Sequence, residues 1–324
     1  MLKFGLLHYI DPLLRSLQRR HPLLPHEPRL GRPRRYDTWQ LVRLWLLAVL
    51  AGWSVRQLCL KLADRQVRAY LRRYVKLPPQ VPDRRTLDRR FAQADFLEAL
   101  RLLFQELACR LSLCRPGDLR RLAIDFTDLP VRVRYDPEAA YGYTSKGRFY
   151  GYKLHLVVSR RGSLLAYRLA TANHHGLLVA EEMVPDLERF AHLIDFLLGD
   201  AGYDGKVLHE LVHRELKAML LAPANPRWNK QPPQTFDLAT ARGRALAFLQ
   251  TAKGRKLYRQ RTIIEQVNGQ LKDVLHVGDI PYWIRGPAAV ERLVAARLIL
   301  YQLALLKNLR THKTHVRRVK HLVA

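Results

Sequence analysis

The sequence predicts an α/β protein, a mixed sheet with flanking helices, preceded by an all-helical N-terminal stretch. Three observations carry this. Up to about residue 115 the apolar residues recur at helical spacing. Between 122 and 172, three segments are apolar or alternating and rich in β-formers. From 179 onward, helical segments alternate with short apolar runs, which is how a sheet acquires helices on its faces. With 324 residues, 48% of them hydrophobic, the chain is too apolar to be disordered and long enough for one large domain or two smaller ones.

In chain order, residues 37–51 (DTWQLVRLWLLAVLA) form the first strong helix, with Asp37 or Thr38 as its N-cap. Gly52 breaks it and Ser54 caps the next, VRQLCLKLADR, a spacing compatible with a helix-turn-helix. A Pro-rich turn at 78–82 precedes a further helical stretch, 84–113. Basic residues are interleaved through this region: Arg65, Arg68, Arg72, Arg73, Lys76, Arg84, Arg85, Arg89 and Arg90. After RPGDL (115–119) come three strands spaced like an antiparallel meander: 122–133, 151–159 and 162–172. A helix at 179–194 is expected to start late because of Pro185. Then follow a short buried strand and turn (195–205), a helix (206–216), a strand (217–223), a helix at 256–275 and a helical pair at 287–310. The order reads β-β-β-α-β-α-β-α.

Charge narrows the function. Lys and Arg number 56 against 28 Asp and Glu, a net charge of +28. Such a surface attracts polyanions, nucleic acid ahead of an anionic membrane. Three cysteines without a C-x-x-C pair exclude a disulfide framework and argue against structural zinc; reduced thiols are expected. The N-terminus contains Asp11 and makes a poor signal peptide. The longest apolar stretches, 44–53 and 298–306, fall short of the roughly 18 residues that cross a bilayer. A soluble, basic, cytoplasmic protein is the expectation.

Two acids stand out. Asp125 follows the apolar run LAI in the first strand, and Asp200 follows DFLLG at the end of the fourth. A carboxylate there is costly to bury unless it is paired or binds a cation. On adjacent strands the two would suit one divalent cation, magnesium or manganese rather than zinc. The helix at 256–275 supplies more. At about 100° per residue, Tyr258, Arg261, Glu265 and Lys272 fall within an arc of roughly 60°, opposite Ile263, Ile264, Val267, Leu271 and Leu275. Over about 21 Å this row suits a strand of phosphates.

The spacing Tyr258-x2-Arg261-x3-Glu265-x6-Lys272 resembles the Y-(2)-R-(3)-E-(6)-K signature of bacterial insertion-sequence DDE transposases. IDFTDLP (124–130) and LLGDAGYDG (197–205) resemble that family's two aspartate blocks, and TANHHG (171–176) its A-N-x-H-D stretch. GRPRRYDTWQLVRLWLLAVLAGWSVRQL and PDRRTLDRRF resemble its helical N-terminal domain. There are departures. Phe126 stands where a serine is common, Gly176 replaces an acid, and the stretch from 223 to 255 is too short for the β-rich insertion some members carry.

The resemblance implies an RNase H-like catalytic domain at 116–310, a helical DNA-binding domain at 1–115 and a basic tail at 311–324. It implies that Asp125, Asp200 and Glu265 are the catalytic metal ligands, holding two Mg2+ (or Mn2+) ions. Arg261 and Lys272 would hold phosphates, with Tyr258 against sugar, base or phosphate. His175 and Tyr203 are candidates for supporting the acids, while Asp128 and Asp204 support them or cap turns. The implied partners are double-stranded DNA, as inverted-repeat ends and as target, and a second copy of the chain in a synaptic homodimer, with no membrane and a nucleoid location. The implied activity is metal-dependent cleavage at transposon ends, then strand transfer of the freed 3′-hydroxyl by in-line displacement. A nuclease on the same fold without strand transfer and a non-catalytic DNA-binding protein remain the alternatives. The tail from 307, with six Lys and Arg and no acid, either grips DNA or frays.

Overall fold

The computed structural model describes residues 3–21, 36–132, 136–144, 147–226, 235–311 and 315–323. The GRPRR segment at 31–35, residues 227–234 of the stretch before the glutamate helix, and 312–314 of the tail lie outside them. Six helices come first: α1 (Ile10–Arg20), α2 (Thr38–Ala51), α3 (Val55–Ala63), α4 (Arg65–Leu71), α5 (Arg84–Phe91) and α6 (Ala94–Cys114). Then follow β1 (Arg121–Pro130), β2 (Ala140–Thr144), β3 (Gly147–Ser159), β4 (Leu164–Thr171), α7 (Gly176–Leu187), β5 (Phe196–Leu198), α8 (Lys206–Leu216) and β6 (Met219–Leu221). The chain continues with α9 (Ala241–Gln250), α10 (Ala252–Tyr258), α11 (Thr262–Asp273), α12 (Pro287–Arg310) and α13 (Lys320–Val323). Two compact units result: one of residues 1–110, 273–277 and 288–324, the other of 111–272 and 278–287.

The first unit is helical, as its local chemistry dictates. Asp37 and Gln40 close a capping box at the start of α2, and Ser54 and Gln57 do the same for α3. Between them Gly52 takes a left-handed φ of 71° that ends α2. α2 is apolar nearly all round and correspondingly buried, with Leu41, Leu44, Leu46 and Leu47 fully inside. No single helix among the described residues is long and apolar enough to cross a membrane; α2 and α3 reach that length only together, through a 102° bend. The basic residues divide in two. Arg65, Arg72, Arg73, Lys76, Arg84, Arg85 and Arg89 are exposed. Arg90 is buried against Thr38 and Gln93, and Arg68 donates to the Pro78 and Pro79 carbonyls. Those two serve the fold.

Residues 287–310 are not a helical pair at the end of the sheet-bearing part. They form a single 24-residue helix, α12, and from Ala288 onward it belongs to the first unit. Leu298, Ile299, Tyr301, Leu303 and Leu305 are fully buried there, the Trp45 indole donates to the Arg292 carbonyl at 3.1 Å, and Arg101 grips Glu291 at 2.8 Å through two nitrogens. A stripe this apolar on every side fills a helical core.

The second unit holds the mixed sheet with its flanking helices. β1 and β3 pair antiparallel, as do β3 and β4, so the meander is present. β5 then adds parallel to β1, and β6 parallel to β5. The order is β4-β3-β1-β5-β6, with β2 paired to β3 beyond the end of β1. Three antiparallel strands followed by two parallel ones make the sheet RNase H-like. A short turn joins β3 to β4 and the chain passes through β2 between β1 and β3, whereas parallel neighbours require the α7 and α8 crossovers.

Three details differ from the sequence reading. β2 (AYGYT) is an additional strand whose only pattern is two tyrosines around a glycine. α7 starts at Gly176 rather than late, and Pro185 lies inside its last turn. There the lost N–H costs one bond just before the helix tightens into the 3-10 segment Glu188–Leu193. The helix at 256–275 is also interrupted: α10 ends at Tyr258, a 3-10 turn spans Arg259–Arg261, and α11 begins at Thr262.

Candidate active site

The first two acids meet because of strand register. Ala123 of β1 lies beside Leu198 of β5 in a parallel pair. Continuing that register by two residues puts Asp125 level with Asp200, at the carboxyl end of the parallel strands, where open α/β sheets bind their ligands. Each carboxylate is locally fixed. The Phe126 N–H donates to Asp125 Oδ1 at 2.8 Å, and the Gly202 N–H donates to Asp200 Oδ1 at 2.8 Å, so that Asp200 caps the 3-10 turn Ala201–Tyr203.

The third acid arrives on α11. Ile264, Val267 and Leu271 are buried and Glu265 is on the other side, half-exposed, as the amphipathic pattern requires. Arg261 joins the two elements. Its guanidinium donates to Glu265 Oε1 at 2.6 Å and lies 3.5 Å from Asp125 Oδ2, and it also hydrogen-bonds Tyr258. Next to it, Arg121 of β1 donates to Gln260 at 3.0 Å. These ties from β1 fall on the 3-10 turn and give a physical reason for the break in the helix: the turn is tightened where β1 grips it. The straight row of four side chains therefore becomes two pieces. Lys272, at the far end, pairs with Asp128 of β1 at 2.6 Å.

The electrostatics are those of crowded carboxylates. Burial, and then the charges of Asp200 and Glu265, push Asp125 up to about 6, against the opposing pull of the Phe126 N–H and Arg261. The fold thus prefers a protonated Asp125, and ionising it costs stability. That cost is absent below about pH 4, grows between about 4 and 6, and levels off at about 3 kcal/mol above that. Replacing Asp125 with asparagine should accordingly stabilise the protein at pH 7 but not at pH 4. Thermal melts at four pH values between them check this; a gain independent of pH would refute it.

Among the described residues, no group of three Asp, Glu, His or Cys side chains stands close enough, as arranged, to hold a metal ion. Asp125 and Glu265 are closed on Arg261, a cation standing among oxygen donors. Hard carboxylate oxygens with excess negative charge fit a divalent ion of the magnesium class in its place.

The remaining candidates divide. Tyr203 is fully buried beside the acids, and burial followed by the charges of Asp125 and Asp200 drives its phenol well above the usual range. Its hydroxyl has no hydrogen-bond partner among the described residues. His175 caps α7, accepting the Leu177 N–H on Nδ1 at 3.3 Å, and its described hydrogen bond does not reach the acids. Tyr258 is half-buried and lines a cavity of about 540 Å³ with Pro223, Phe236, Leu246, Arg255 and Arg259.

A further cluster escaped the sequence reading. Asp204 is neither a support of the acids by contact nor a simple turn cap. It is fully buried, accepts from Arg242 Nε and Nη2 at 2.7 and 2.6 Å and from the Asn225 N–H at 2.9 Å, and lies 3.4 Å from His209 Nε2. Arg242 comes from α9, inside the stretch that the sequence offers only as a gap, and nothing in its local pattern marks it.

Residues 116–303 match the profile of a family described as Transposase DDE domain. Two solved structures are similar to the chain. The Drosophila P element transposase strand transfer complex is 9% identical, with 97% of this chain and 90% of that chain covered at a TM-score of 0.26. A pre-cleavage Mos1 transpososome is 15% identical, with 83% and 87% covered at a TM-score of 0.20. Scores of that size carry no argument about the arrangement of the site. No curated protein matches the chain.

Proposed function

Because the chain belongs to the transposase DDE domain family, we propose that it cuts DNA at the ends of an insertion sequence and joins the freed 3′-hydroxyls to target DNA. The observation that supports this reading best is the approach of Asp125 and Glu265 to one guanidinium, with the charge of Asp200 acting on Asp125 as well. In this reading Asp125, within β1, Asp200, just past the end of β5, and Glu265, on α11, would hold two magnesium or manganese ions. Bound there, such ions ease in-line displacement at a phosphodiester by offsetting the charge that develops on the attacking and leaving oxygens.

The chain's own residues do the rest. Arg261, released from the carboxylates, grips a phosphate beside the scissile bond, and Lys272, released from Asp128, grips another. Tyr258 packs against the neighbouring sugar. Tyr203 backs the two aspartates from inside the fold. Water attacks first and frees a 3′-hydroxyl, which then attacks the target. Both steps are direct displacements, so no side-chain nucleophile is required. The exposed basic residues of α4 and α5 would read or grip the ends, and two copies would hold two ends in a synaptic dimer at the nucleoid.

The test is a joining assay. Purified protein, magnesium or manganese, and DNA carrying the gene with its flanking sequence should yield ends cut at fixed positions and joined to a second plasmid. Cutting without joining, even with precleaved ends, would assign the chain to the nucleases and overturn the proposal.

A further inference from the structure

Every exposed large aromatic side chain among the described residues lies on two short segments. Tyr141 and Tyr143 stand on β2, 45% and 71% exposed, and Tyr282 and Trp283 lie between α11 and α12, 56% and 55% exposed. The fold puts them on one face. A Cβ at Gly142 would sit 2.2 Å from the Ala172 carbonyl oxygen, so position 142 faces inward and the alternation of a strand turns Tyr141 and Tyr143 outward. Tyr141 packs edge-on against Tyr150 of β3 at 4.9 Å, and the Arg148 guanidinium lies 3.8 Å from the centre of the Tyr141 ring. The Tyr150 and Tyr152 hydroxyls donate to Asp136 at 2.9 Å each, one to its carbonyl and one to its carboxylate. That carboxylate also accepts the Gly286 N–H at 3.1 Å, which anchors the segment bearing Tyr282 and Trp283 beside the tyrosines. Tyr152 pairs with Leu129 of β1, and counting back by twos from Leu129 reaches Asp125. The rings therefore share the side of the sheet that carries Asp125, with Leu129 and Tyr152 fully buried between them.

Exposed rings in such a cluster mark a binding surface. The net charge of +28 and the arginine on Tyr141 select an anionic occupant. Flat rings interleaved with guanidinium groups are how proteins hold unpaired bases without reading their sequence. We propose that this face is a stacking platform for the unpaired bases of a DNA strand. The assignment rests on the reading of the chain as a DNA-processing enzyme, and extends it to a strand-opened substrate.

Binding measurements on the full chain test it. A fluorescent duplex with a short single-stranded extension should bind more tightly than the same duplex with blunt ends. The double variant Tyr143→Ala/Trp283→Ala should lose about tenfold of the affinity for the extended DNA and keep its affinity for the blunt one. Tyr143→Phe/Trp283→Phe should restore the preference, because the rings remain. Equal preference in the alanine variant and the unaltered chain overturns the stacking platform alone. A change in self-association with DNA affinities untouched also overturns it, assigning the face to a second copy. Failure of the unaltered chain to bind any DNA overturns the broader reading as well.

Discussion

Asp125→Ala should lower divalent-ion-dependent cleavage by about a thousandfold or more while leaving DNA affinity within about twofold. The asymmetry follows from where the side chain stands. Asp125 is held within β1 by the Phe126 N–H, in the field of two other acids, and it contributes nothing positive for a phosphate to bind. Its proposed work is to help hold a cation against reacting oxygens, an effect of several kcal/mol confined to the transition state. Affinity rests instead on the many cations of a chain with a net charge of +28, none of which the substitution touches. Gel-shift and plasmid-nicking measurements on one preparation separate the two. Cleavage at the unaltered rate would refute the placement of the cation site. A parallel loss of binding and cleavage would point to damage of the fold.

Arg242→Ala should destabilise the protein by about 3–5 kcal/mol, although the residue lies outside the three acids. Burial alone would raise the pKa of Asp204. Hydrogen bonds from Arg242 and the Asn225 N–H, together with the nearby His209 ring, outweigh it and hold the carboxyl far below its usual range. The stabilisation from a depressed carboxylate is present above about pH 4 and lost as the pH falls below it. Removing Arg242 leaves a fully buried charge without its bidentate partner. The consequence reaches the candidate site, because Asp204 ends the 3-10 turn that Asp200 begins. Urea unfolding at pH 7 measures the loss, and the difference between variant and native protein should shrink toward pH 3. A cost below about 1 kcal/mol at pH 7 would mean that the pair is not a support of this turn.

Much of the candidate site was legible as a pattern, because it is local chemistry at fixed spacing. Acids behind the apolar runs LAI and FLL have few structural explanations, and Glu265 opposite Ile264, Val267 and Leu271 follows from helical geometry alone. The helical first part, with Asp37, Gly52 and Ser54 as its punctuation, was legible for the same reason. What was illegible depends on partners distant in sequence. The break at Arg259–Arg261 falls where Arg121 and Asp125 grip the turn, and no pattern within 256–275 contains those residues. The burial of Asp204 depends on Arg242, 38 positions later.

The sequence by itself determined which residues carry charge, which faces are apolar and where helices start and stop, since capping, turn chemistry and amphipathic period act over a few residues. The tertiary structure alone decided that α12 joins the helical unit, that Arg261 stands among the acids and that the exposed rings of two separate segments share one face. Those outcomes are set by burial, ion pairs and hydrogen bonds between segments distant in sequence, such as Arg261 with Asp125 and Gly286 with Asp136, whose energies exist only once the chain has closed on itself.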